Sequence, residues 1–167
     1  MPNASGRHEF RGKHIPPATL SPIPMLRETL TATIEKAAIT EGYAFHTGFA
    51  YRINNGIAKF PAAWLLPVRI IAVEGRRDGY LTYQMTLYLM HLDKKPRPES
   101  RERQWAELEI AALRILDNIY AGRQIFDIAK IGCTPAENSL TNYGETALKI
   151  ECEVRMRFCP ADSPLED

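Results

Sequence analysis

No apolar run in this 167-residue chain approaches the ~18 residues that cross a bilayer as a helix. The opening residues, MPNASGRHEFRGKH, are basic but lack an apolar core behind them, so a secretory signal is not expected and Asn3-Ala4-Ser5 is read as a chance glycosylation match. Net charge is nearly absent, formally +1, which leaves no global field to draw the chain to nucleic acid or to a membrane. Cysteine is scarce: Cys133, Cys152 and Cys159 are odd in number and share no metal-ligand spacing. Cys152 falls on the apolar side of a strand pattern, where a thiol behaves as a small hydrophobe, and a reducing environment is expected.

Site chemistry is missing as well. The sequence has no phosphate-binding loop, dinucleotide fingerprint, zinc-protease helix or nucleophile elbow. His8, His14, His46 and His91 are dispersed, and no spacing favours a metal held by His46, His91 and Cys133. Glu107 and Glu109 are two apart on a helical pattern, so they do not share a face as an acid/base pair would. No metal and no organic cofactor are expected, and no catalytic residue is assigned.

What is present is pattern. In Tyr80 to Leu92, Leu81, Tyr83, Met85, Leu87 and Leu89 alternate with Thr82, Gln84 and Thr86, the mark of a strand with one face on a core. At ~3.4 Å per residue it would span roughly 44 Å. Before it, Glu74-Gly75-Arg76-Arg77-Asp78-Gly79 reads as a hairpin turn after the β-branched run Val68 to Val73. From Thr146 to Phe158 the alternation is stricter, with Lys149, Glu151, Glu153, Arg155 and Arg157 on the outward side. Leu87 and Val154 are expected to be buried on the inward faces of these two strands.

Two helices frame the strands. Ser21 as N-cap and Pro24 open the first, which carries Leu26, Leu30, Ile34 and Ala37-Ala38 at helical spacing and stops at Gly42. The second runs from Pro98 to Ala121 with Trp105, Leu108, Ala112, Ile115, Leu116 and Ile119 on one stripe, and ends at Gly122. Between them Tyr43 to Ile53 reads as a strand, Asn54-Asn55-Gly56 as a hairpin turn, and Ile57 to Leu66 as an edge or irregular strand because of Pro61. Ile125 to Cys133 reads as a short strand, followed by a polar loop over Thr134 to Asn142. Lys94-Lys95-Pro96-Arg97 reads as solvated linker.

The order predicts an α+β fold: an antiparallel sheet, two helices packed on one face, and a long projecting β-hairpin. The division expected is a flexible N-terminal arm over 1–23, one α+β domain over 24–159, and an acidic tail over 160–167. Helices of about 27 and 36 Å would not cover strands of ~44 Å, which points to assembly. The candidate interface is Arg76, Arg77 and Asp78 at the hairpin with Lys149, Glu151, Glu153, Arg155 and Arg157 on the strand. Mixed signs suit subunit contacts better than a nucleic-acid groove, and they equally suit a water-facing strand. Arg76-Arg77 could bind phosphate or form a plain exposed turn.

The first helix, the FPAAWLLP segment from Phe60 to Pro67, EGRRDG before a long amphipathic strand, and a second helix with Trp105 near its start together resemble the tail-terminator or tail-completion proteins of long-tailed phages. The particular flavour resembles prophage copies from Bacteroides-type bacteria, and the resemblance covers about Met25 to Phe158. It implies a non-enzymatic minor tail protein of the virion, put together in the host cytoplasm. Such a protein forms a ring, usually six-fold, on the tail tube, stops its polymerisation and offers a surface to the head connector. The resemblance is compatible with a monomer before a tube end is available. It also implies that Trp64 packs internally or at a subunit seam. A neck or other virion component, or a small-molecule-binding or enzymatic α+β domain, are the alternative readings.

Overall fold

The computed structural model describes residues 25–75, 79–93 and 100–157. The arm, Ser21, Pro24, the Lys94–Arg97 linker, Arg76, Arg77, Asp78, Cys159 and the acidic tail lie outside these residues. The N-cap expected at Ser21 is corrected, because Met25 holds the cap position of the first helix without a side-chain cap hydrogen bond. The fold is α+β. Helix α1 spans Leu26–Thr40, with Leu26, Leu30, Ile34, Ala37 and Ala38 buried as their spacing requires. It ends in a Schellman arrangement: Gly42 adopts φ 87°, its N–H donates to the Ile39 carbonyl at 2.9 Å, and the Tyr43 N–H donates to Ala38 at 3.0 Å.

Strand β1 (Ala44–Thr47) follows, then a 3-10 turn (Ala50–Arg52) and a single-turn helix α2 (Ile53–Gly56). Strands β2 (Ala62–Leu65), β3 (Arg69–Glu74) and β4 (Tyr80–His91) come next. Helix α3 (Ser100–Tyr120) precedes β5 (Ile125–Pro135) and β6 (Thr146–Arg157). The sheet order is β1-β2-β4-β6-β5, and β3 joins β4 on the same side as β2. The β4–β6 ladder is the spine, in register from Tyr80↔Arg157 to His91↔Thr146.

Several local expectations are corrected. β1 and β2 are parallel, so the sheet is mixed, and Asn54-Asn55-Gly56 is helical instead of a hairpin turn. A parallel pair cannot be closed by a two-residue turn, and the chain from Gly48 to Pro61 serves as the crossover. The strand expected over Tyr43 to Ile53 therefore stops at Thr47. Pro61 does not mark an edge strand: it precedes β2, and all four β2 residues are buried between β1 and β4. Its missing N–H costs nothing there, while its carbonyl accepts from Ala44 at 2.9 Å. β5 is longer than expected and runs to Pro135, because two irregularities, at Ile125/Asp127 and Ala129/Gly132, let it keep pairing with β6.

The core lies on both faces. Residues of α1 and α3 form one buried cluster with Leu81, Tyr83, Met85, Leu87 and Leu89 of β4 and with the inward residues of β6. Leu87 and Val154 are each 0% exposed, as the alternation requires. This cluster covers the inner face of β4 from Leu81 to Leu89, while the edge strand β3 beside it stays largely exposed on that face. The described part of the β3–β4 hairpin is held in the sheet, with β6 beside β4 as far as Tyr80. A second cluster, Ile53, Ile57, Ala62, Trp64, Met90 and Ala147, fills the opposite face at one end only. Its lid is the crossover and the 136–145 loop, joined where the Asn142 N–H donates to Asn54 Oδ1 at 2.9 Å.

Candidate interaction surface

Beyond that second cluster the face opposite the helices is open. The β4–β6 register places Lys149, Glu151, Glu153, Arg155 and Arg157 opposite Tyr88, Thr86, Gln84, Thr82 and Tyr80, all on this face. The five charged residues named from the sequence are thus one row on one surface. Its mixed charges form local pairs: Lys149 with Glu151 at 3.4 Å, and Lys130 of β5 with Glu153 at 3.0 Å. Exposed pairs of this kind add little stability, so their value lies in the pattern they present. A shallow trough of about 400 Å³ crosses the face between β3 and β5, lined by Ala72, Thr82, Asp127, Ala129, Glu153 and Arg155 among others.

Arg155 differs from the rest of the row. Its guanidinium pairs with Glu74 of β3 and lies 4.4 Å from the Tyr80 ring centroid and 5.4 Å from that of Phe126. The Tyr80 and Phe126 rings themselves are 4.6 Å apart, and Arg157 sits 4.9 Å over Phe126. One side chain therefore ties β3, β4, β5 and β6 together. Arg155 is thus already engaged within the chain, through Glu74 and the two rings. Neither Tyr80 nor Phe126 was marked by sequence reasoning, since a cation–π cluster across three strands has no local signature.

His46 stacks on Trp64 at 5.8 Å on the side of the second cluster, whereas His91 and Cys133 take inward-facing positions on β4 and β5. The topology does not gather them, and among the described residues no group of three or more metal-ligating side chains occurs. Trp64 is buried: its indole N–H donates to the Gly48 carbonyl at 2.8 Å. Glu145 is a buried carboxylate, 3% exposed, and accepts from the Leu140 N–H at 2.5 Å, the Thr141 N–H at 3.0 Å and the Thr141 hydroxyl. It pins the 136–145 loop. The pairing of Glu107 on α3 is local too: Arg103, four residues before it, reaches its carboxylate at 3.3 Å.

No helix among the described residues is long and apolar enough to cross a membrane. No protein-family model matches the sequence, and no curated protein matches it.

Proposed function

We propose that the chain is a non-enzymatic tail-end protein of a long-tailed phage, acting by contact. It assembles as a ring, six-fold in the usual arrangement, on the tail tube, ends tube polymerisation and gives the head connector its docking surface. It is made in the host cytoplasm and becomes part of the virion. The observation that supports this reading is the open sheet face, where a row of mixed charge is held in register by a fully paired β4–β6 ladder. Mixed charge on a paired sheet surface fixes register and partner choice more than affinity. A ring needs such a surface to meet a different patch on its neighbour.

The test uses residues of the row that leave the Arg155 cluster's ion pair intact. Glu151→Lys and Lys149→Glu variants, checked for folding by circular dichroism, are added to growing tail tubes and the ends imaged by electron microscopy. Wild-type protein is expected at tube ends with growth stopped, and the variants are expected to leave tubes overlong. Folded variants that cap as wild type does would remove the row from the mechanism. Wild-type protein that never touches a tube would remove the function.

A further inference from the structure

Strand β3 has β4 as its one pairing partner among the described residues, and its outer edge is exposed. Its sequence is Arg-Ile-Ile-Ala-Val-Glu. Under strict alternation Arg69 and Glu74, an odd number apart, would point to opposite faces. The irregularity at Ile71 changes that parity. Arg69 stands opposite Gln84 and Glu74 opposite Tyr80, both on the open face, while Ile70 stands opposite Tyr83 and Val73 opposite Leu81, both on the helix face. Ile70 is 54% exposed and Val73 59%, since neither helix reaches over this edge strand.

The result is a strand complementary to itself. Laid antiparallel to a second β3 across a two-fold axis normal to the sheet, it sets Arg69 against Glu74 of the other copy on the open face. Ile70 then meets the other copy's Val73 on the helix face. Both matches occur twice, as an isologous contact demands. We propose that β3 pairs in this way with a second copy of the chain, joining two sheets edge to edge. The charged ends are already held at the rim: Arg69 donates to Gln84 Oε1 at 2.7 Å, and Glu74 is fixed by Arg155. A carboxylate has room for a second cationic donor. A bulge commonly blunts an edge strand, and here it also sorts charge to one face and branched apolar groups to the other. The opposite edge of the sheet, β5, lacks this match: Lys130 is in the left-handed region at φ 52° and drawn to Glu153, beside a register shift. The inference does not depend on the tail-end reading.

Sedimentation equilibrium of the full chain, taken into the high micromolar range, reads the mass directly. The wild type is expected to reach twice the chain mass. Arg69→Glu and Glu74→Arg each set like charges opposite one another, and each alone is expected to weaken self-association by roughly tenfold or more. Mixed together, the two variants restore opposite charges at both ends, so a heterodimer is expected to return. A wild type that stays monomeric, single variants that dimerise as wild type does, or a folded pair that fails to recombine would each overturn the proposal. Val73→Lys covers the case in which a charge variant fails to fold; a Val73→Lys dimer of wild-type strength would overturn it equally, because the copies would then be meeting elsewhere.

Discussion

Glu145 shows what a single residue contributes to this molecule. Its carboxylate accepts two backbone N–H groups and a hydroxyl where almost no water reaches. Glu145→Ala leaves those donors unpaired and is expected to cost about 3 kcal/mol, measurable as a lower urea midpoint. If the midpoint does not move, the loop is held by other groups. A glutamate next to a turn glycine gave no hint of burial in the sequence, since charged residues are rarely buried and its partners are close in the chain but set by loop geometry. Buried apolar residues were easier. Leu87 and Val154 sat on alternating runs whose phase only one core could satisfy, and both are fully buried.

At the scale of elements, long periodic segments were legible and short ones were not. Both long helices, the Gly42 stop and the two spine strands could be read because the period held over many residues, whereas the cap of the first helix, expected at Ser21, falls at Met25. The stretch from Thr47 to Ala62 could not. Its local composition favours a hairpin, but its conformation is set by Trp64, a residue on the strand that follows. A Cβ placed on Gly56 would lie 2.6 Å from the Trp64 ring, so the crossover can close over the indole only with glycine at that position. Gly56→Ala is therefore expected to destabilise by about 1–3 kcal/mol through overpacking. Thermal unfolding checks it, and Gly132→Ala, where nothing lies within 4 Å of the added carbon, is the matched control. Equal melting of Gly56→Ala and wild type would mean that the lid can shift away from the ring. The charged row was legible as a row, whereas the Arg155 cluster was not, because its members come from four strands.

For the whole molecule, two buried protons set an alkaline limit. Burial first, then Cys133 and Glu153, push the Cys152 thiol from 9.0 up to about 12. Burial first, then Glu41 and Glu107, push the Tyr43 hydroxyl from 10.0 up to about 12. Both pKa values are raised in the fold, so the folded state holds these protons more tightly than the unfolded chain. Their contribution is complete below the unfolded values and is lost as pH rises toward 12. Stability measured by denaturant titration is expected to show no loss from these groups up to about pH 9 and to fall above it. Cys152→Ala should shallow that fall. An unchanged slope in the variant would assign the alkaline transition to other groups.

The seating of Trp64 also gives the protein an internal optical gauge. An indole shut away from water, with its N–H committed to a backbone carbonyl, emits at shorter wavelength than one in solvent. The lid over it is made of the crossover and the 136–145 loop, neither of which belongs to the helix-side core. If the lid loosened while the helices stayed packed, the Trp64 emission, read in a Trp105→Phe background because Trp105 packs on the helix-side core, would redden before helical circular dichroism changed. The two signals read opposite faces of one sheet, so their separation or coincidence on heating reports whether those faces come apart independently.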